Sequence, residues 1–231
     1  MDLPFDVVDF HTHILPGADH GSDSVKTTLR QLELARDAGV RRLIATSHFY
    51  PTSHSVDSFL KRRDGSYSVL SGCLSDDLPE ILLGAEVLMC PGIENMEGVE
   101  RLCIEGTKTL LLELPFSDFS LAYKTSVACL VSRGIDVVLA HADRYEPKNI
   151  DIILQAGARI QLNASALSGV FVNADVKRWI ADGYVVALGS DIHMNDESAY
   201  RKFVKATRKL YKMNEKAFEY SDMLWNAAKA K

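Results

Sequence analysis

Asp9-Phe10-His11-Thr12-His13 closes a short apolar run, Val7-Val8. Such a run reads as a β-strand, in which residues two apart point the same way. Asp9, His11 and His13 are therefore expected on one face at the strand's C-terminal end, where two imidazoles make a chelating pair for a transition metal. Residues of the same chemistry recur along the chain. His20 sits in the loop that follows, and His48 comes just after the run Arg42–Thr46. Glu86 lies within 81–87, Glu113 within 110–114, His141 closes 137–141, and Asp191 and His193 follow 184–189. Of the seven histidines only His54 falls outside this set. Histidines serving only as core or surface residues would not gather at strand ends in this way.

The two glutamates carry the argument further. Each sits inside an apolar strand, LLGAEVL and LLLELP, with no Lys or Arg interleaved. A buried carboxylate must be paired or must coordinate a metal, and coordination is the simpler solution. Asp191 and His193 are two apart, so an extended segment aims both the same way. Together these donors exceed the about four to six that one ion takes and would serve two ions or three. Mixed nitrogen and oxygen donors without thiolate suit Mn2+, Fe or Zn. Such a cluster makes hydroxide from water near neutral pH and clamps the attacking and leaving oxygens of a phosphoryl group. Arg144, in His141-Ala142-Asp143-Arg144-Tyr145, can hold two phosphate oxygens in its fork. From position alone it is equally a surface residue paired with Asp143 or Glu146. Asp9 is expected behind the ligands, orienting a histidine.

Other chemistries fail on spacing. A cysteine phosphatase needs an Arg six positions after its thiolate, and the residues six past the four cysteines are Pro79, Met96, Thr109 and Ile135. There is no phosphate-binding G-x-x-x-x-G-K-[ST] loop, no G-x-G-x-x-G after a strand and no G-x-S-x-G elbow.

The elements that must position these residues alternate. Strands are expected at 7–13, 42–46, 81–87, 110–114, 137–141, 159–163 and 184–189. Helices are expected over about 25–38, 56–70, 94–105, 119–132, 147–157, 172–182, 196–212 and 214–229. Continuous apolar strands separated by helices imply a parallel sheet covered on both faces. An open sheet gathers ligands between a few strands, whereas a barrel lets every strand end converge on one mouth. Polar residues end six of the seven strands, which favours a barrel-like ring. The 231 residues, 47% hydrophobic and 25% charged, suit one globular domain with a sizeable core. A net charge of −5 argues against a nucleic-acid partner. The Lys/Arg-rich tract 201–216 reads as a solvated helix face. The N-terminus has no signal-peptide pattern and no run is long enough for membrane insertion. Cysteine spacing matches no zinc module or disulfide framework, as expected of a cytoplasmic protein with reduced thiols.

The motifs FHTHILPGADHG, IATSHF, GAEVL, LLLELPF, VLAHADRYEP, IQLNASALSG and LGSDIHMND resemble, in order, those of the PHP (polymerase and histidinol phosphatase) superfamily. Within it they look most like the manganese-dependent protein-tyrosine phosphatases of bacterial capsule and exopolysaccharide clusters. The resemblance spans residues 9 to 195. It implies a distorted (β/α)7 barrel with a trinuclear metal site at the C-terminal mouth of the strands. It implies His11, His13, His48, Glu86, Glu113, His141, Asp191 and His193 as ligands and Arg144 on the substrate phosphate. The implied substrate is phosphotyrosine on a protein such as a capsule-regulating tyrosine kinase. A small phosphomonoester of the histidinol-phosphate type is an alternative, and so is a degenerate metal-binding scaffold without turnover. An amidohydrolase also opens with H-x-H, but it usually needs a lysine on the fourth strand, where Glu113 stands. Four departures mark this chain. His20 replaces an expected aspartate ligand, ATSHF stands for ATPHH, Leu88 replaces an arginine, and HADRY stands for HPERY. Oligomeric state is not legible in the sequence.

Overall fold

A computed structural model describes residues 6–116, 119–194 and 196–230. Asn195, within the last of the motifs, lies outside the described residues. The elements run β1 (Val8–Thr12), α1 (Val25–Asp37), β2 (Arg42–Ala45), β3 (His48–Phe49), α2 (Val56–Ser71), β4 (Glu80–Leu83), β5 (Glu86–Leu88) and β6 (Thr109–Glu113). They continue with α3 (Ala122–Ser132), β7 (Asp136–Leu139), α4 (Pro147–Leu154), β8 (Arg159–Asn163), α5 (Ala164–Ser168), α6 (Ala174–Ala181), β9 (Val185–Gly189), α7 (Ala199–Met213) and α8 (Glu219–Lys229).

All strand pairs are parallel. One sheet has the order β1-β2-β4 and the other β3-β5-β6-β7-β8-β9. Two of the seven expected strands are broken. The run after Arg42 leaves the first sheet at Thr46-Ser47 and rejoins the second as β3, and the run after Glu80 does the same at Gly84-Ala85. The seven strand positions thus follow one another in chain order across two parallel sheets. Where β1 approaches the segment after β9, the contact is a parallel bridge, Thr12 to Ile192, with the Asp191 amide donating to the His11 carbonyl at 2.9 Å.

Side chains from both sheets meet inside. Val8, Phe10, Ile44, Leu82, Leu111, Val138 and Ala187 form one buried cluster with Leu224 and Trp225 of α8. The larger apolar cluster packs the strands' other faces against the helices. Helix α7 shows the rule: Tyr200, Phe203, Ala206 and Leu210 are buried at helical spacing, and Arg201, Lys202 and Lys212 on its other side are exposed. Local signals place the helix ends. Ser24 caps α1 by accepting from the Thr27 amide, and Pro147 opens α4.

One expected helix is absent. Over 94–105 the chain makes two 3-10 turns, Ile93–Asn95 and Val99–Leu102, each entered through a left-handed glycine, Gly92 (φ 82°) and Gly98 (φ 77°). Gly98 breaks the helical path, although Ile93, Val99 and Cys103 remain buried as their spacing suggests. Likewise the last helix begins at Glu219, after a 3-10 turn at Glu215–Phe218. No helix is long and apolar enough to cross a membrane among the described residues.

Candidate metal centre

The strands deliver their polar residues at their C-terminal ends. In β1 the register shifts between Asp9, opposite Leu43, and Thr12, opposite Ala45. This extra residue breaks the strict alternation expected from Asp9 to His13. Asp9 turns to accept the Ser190 amide at 2.8 Å, so it holds the turn after β9 and orients no histidine.

The histidines are oriented by two other groups. His13 Nδ1 lies 2.8 Å from Asp19 Oδ2, and the same carboxylate accepts the amides of Gly21 and His48. His11 Nδ1 lies 3.2 Å from Gln161 Oε1, which also accepts the His141 amide at 2.7 Å. Gln161 donates its own amide hydrogens to the Leu162 carbonyl and to Asn163, so its oxygen faces the histidines. These contacts favour an Nδ1–H on each imidazole and leave Nε2 as the nitrogen each would offer a metal. Gly189 and Gly21 permit this packing. A Cβ at Gly189 would stand 2.6 Å from His11 Cβ, and one at Gly21 would stand 2.1 Å from His13 Cβ.

The two lone pairs converge. His11 Nε2 and His13 Nε2 are 3.0 Å apart, each is 3.2 Å from Glu86 Oε2, and Asp191 Oδ1 lies 3.7 and 3.4 Å from them. Glu86 Oε2 is also 2.9 Å from His48 Nδ1, and Glu86 Oε1 is 2.8 Å from His141 Nε2. Glu113 lies 3.8 Å from His48 and 3.5 Å from His141. Yet Glu86 Oε2, His48 Nδ1 and His141 Nδ1 are buried without a hydrogen-bond partner. In the free chain protons on these imidazoles offset the carboxylates, and a cation would take their place on the Nε2 lone pairs, so this donor set fits a metal. Three overlapping triads have the spacing for one: His13, His48 and His193; His11, His13 and Asp191; and His48, Glu86 and Glu113.

The electrostatics agree. Burial opposes a proton on His13, but Asp19, Asp191 and Glu86 overcome it and raise His13 well above its ordinary value. Burial likewise opposes charge on His141, and Glu113 and Glu86 still push it up to about 9. A field that holds protons on buried imidazoles also attracts a divalent ion. His193 differs: burial and the neighbouring His13 push it down to about 4, leaving a free base.

Backbone geometry aims two of these groups. His141 (φ 32°) and Asp191 (φ 53°) are non-glycine residues in the left-handed region, a conformation that persists only where surrounding contacts enforce it. Arg144 lies beside them. Its guanidinium donates to Asp191 Oδ2 at 2.5 Å, not to Asp143 or Glu146, while Asn163 Nδ2 holds the same oxygen at 2.9 Å. His20 reaches the cluster at its exposed rim, with its ring centre 4.6 Å from that of His48 and 4.9 Å from that of His193. Gln161, Asp19 and Asn163 were not singled out by spacing. The available signal was a glutamine within an apolar strand, IQLN.

Asp9 yields a stability test. Burial raises its carboxyl to about 6. The folded chain thus holds that proton more tightly than the unfolded chain. The stabilisation is complete below about pH 4 and is lost as pH rises through about 6. Asp9→Asn keeps an acceptor for the Ser190 amide and carries no charge. Melts in chelator should show it more stable than wild type at pH 8, by up to about 3 kcal/mol, with the gap closing at pH 4.

Parallel strands whose C-terminal ends bring together a histidine–carboxylate cluster with the spacing for metal ions define an α/β protein with a candidate metal centre. This chain belongs to the capsular polysaccharide synthesis CpsB/CapC family, whose model matches residues 7–230. The tyrosine-protein phosphatase CpsB of Streptococcus pneumoniae is 24% identical over 210 residues, covering 82% of this chain and 84% of the relative. CpsB of Streptococcus agalactiae serotype V is 22% identical over 204 residues, with the same coverage. A solved structure from work on YwqE of Bacillus subtilis and CpsB of Streptococcus pneumoniae, described as metal-dependent tyrosine phosphatases, superposes with a TM-score of 0.73. It shares 23% identity and covers 96% of this chain and 92% of its own.

Proposed function

We propose that the chain is a metal-dependent phosphatase, one catalytic domain that hydrolyses phosphotyrosine on a cytoplasmic partner protein such as a capsule-regulating tyrosine kinase. The observation that carries this reading is the convergence of the His11 and His13 Nε2 lone pairs on Glu86 and Asp191, with Arg144 on the same aspartate. Family membership and the relatives' activity support it. His11, His13, His48, Glu86, Glu113, His141, Asp191 and His193 would hold the ions, with His20 at the rim, and mixed imidazole and carboxylate donors suit manganese. Bound divalent ions supply an acidified water at neutral pH and positive charge for phosphoryl oxygens.

The chain's own residues do the rest. Asp19 and Gln161 lock the tautomers of His13 and His11. Asn163 keeps Asp191 in place when Arg144 turns to the substrate. The Arg144 guanidinium takes equatorial phosphoryl oxygens and stabilises the charge that builds there. Phe116, 70% exposed, lies nearly parallel to His141 (11°, 6.1 Å) and against Tyr145, and Tyr50 stacks on His48. These aromatic faces flank the site and suit a phenyl ring. Phe116→Ala should raise KM for a phosphotyrosyl peptide about 2- to 10-fold and leave that for an alkyl phosphate nearly unchanged. Steady-state kinetics on both substrates checks it.

The reading is tested by stripping the protein with chelator and restoring manganese. Activity on phosphotyrosyl peptide should vanish and return, exceed that on amino-alcohol phosphates, and be abolished by His11→Ala or Glu113→Ala. Full turnover of p-nitrophenyl phosphate by the metal-free protein would sink it.

A further inference from the structure

The Lys/Arg-rich tract that reads in the sequence as a solvated helix face is one wall of a groove. This groove, about 750 Å³, lies between α7, the end of α1 at Asp37-Ala38 and the loop at Gly169-Val170. Arg201, Lys205, Arg208 and Lys212 follow one another four, three and four residues apart, so they share one face of α7. Lys209 stands beside them. Between the cations the lining is apolar: Ala38, Val170 and Val204 contribute to it, together with the methylene stems of the lysines. At its lip Val170 and the adjacent Phe171 are 83% and 91% exposed.

The charge of this groove is not balanced within the chain. Among the described residues Arg201, Lys205, Lys209 and Lys212 make no ion pair, whereas Lys202, outside the groove, lies 3.7 Å from Asp196. Lys209 Nζ donates instead to the Gly169 and Val170 carbonyls at 2.9 and 3.3 Å, which pins the loop and leaves the ammonium charge uncompensated. Asp37, the acid in the lining, is held by Arg36 at 2.9 Å. A row of five cations in a chain of net charge −5 repels itself and attracts an anionic ligand. The walls on both sides suit an extended peptide, which can enter a groove as a flat bilayer surface cannot. Its acidic side chains would meet the Lys/Arg row, and an apolar one would cover Val170. The groove is also within reach of the metal centre. Gly169 comes six residues after Asn163 and Tyr200 seven after His193, so each lies at most about 25 Å from the site, the span of about eight extended residues.

We propose that this groove docks an acidic, extended segment of the phosphoprotein substrate while its phosphotyrosine occupies the metal centre. This rests on the phosphatase reading above, but docking is tested separately by binding. The metal-loaded full chain is titrated into a fluorescently labelled copolymer of glutamate and tyrosine, which bears no phosphate, and anisotropy is followed. Wild type should bind, and binding should weaken as salt is added. Arg201→Glu/Lys205→Glu changes two exposed residues and should melt as wild type does. It should bind the copolymer at least about tenfold more weakly. Lys61→Glu/Lys177→Glu makes the same change of charge at exposed positions outside the groove and should bind as wild type does. In kinetics, glutamates placed about eight residues from the phosphotyrosine of a peptide should lower KM at least about fivefold. The Arg201→Glu/Lys205→Glu chain should lose that difference and keep its kcat and its turnover of p-nitrophenyl phosphate. Equal copolymer binding by wild type and the groove variant would overturn the proposal, and so would an equal loss in the Lys61→Glu/Lys177→Glu chain. Binding of phosphatidylserine vesicles through Arg201 and Lys205, with no binding of the copolymer, would overturn it in favour of a membrane surface. Copolymer binding at the groove by a chain without phosphatase activity would count against the proposed function and leave the acidic ligand of the groove standing.

Discussion

Glu86→Gln is expected to abolish turnover, with kcat falling by at least about a thousandfold. Glu86 is the hub of the cage: its two oxygens lie 2.8–3.2 Å from nitrogens of His11, His13, His48 and His141. Glutamine keeps the shape and packing of this 1%-exposed side chain, but it removes the charge that balances the ions. It also turns N–H groups toward nitrogens or a cation. Elemental analysis should find metal content well below wild type. The metal-free melt should also fall, because Glu86 is a carboxylate that offsets the raised His13 and His141. A Glu86→Gln protein with wild-type metal content and kcat within tenfold would overturn the assignment of this residue.

Arg144→Lys is expected to lower kcat/KM for phosphotyrosyl peptide by about a hundredfold with metal content unchanged. The two residues share a charge, but an ammonium cannot reproduce the planar fork. Asp191 stays in place in the variant because Asn163 also holds its Oδ2. This separates substrate binding from metal binding. If metal content fell in step with activity, Arg144 would act by fixing Asp191 and not by gripping phosphate. If kcat/KM stayed at the wild-type value, the residue would have no part in the reaction.

The alternation of strand and helix was legible because parallel strands buried on both faces are continuous apolar runs. The breaks at Thr46-Ser47 and Gly84-Ala85 were not legible: each crossing takes only two residues of extended chain, and nothing in their type says that the strand changes partner there. Over 94–105 the apolar spacing was helical, but the left-handed Gly98 decided the path. The donor residues could be gathered from strand ends without knowing distances. Their arrangement could not, because it depends on contacts between residues far apart in the chain. The Gln161–His11 and Asp19–His13 pairs set which nitrogen each imidazole offers. Asp9 was misjudged as a partner of a histidine because the register shift in β1 is invisible in a five-residue pattern.

The change of sheet within two strand runs has a mechanical consequence. His11 and His13 lie at the end of β1 in the first sheet, while His48, Glu86 and Glu113 lie on strands of the second. A bound ion would therefore rivet the two sheets to each other across the seam where Thr46-Ser47 and Gly84-Ala85 cross over. Binding energy becomes resistance to shear between the sheets, because an ion that binds only the assembled cage favours that state. On chelation, amide exchange should accelerate first at these two crossings, before the inner cluster under α8 opens.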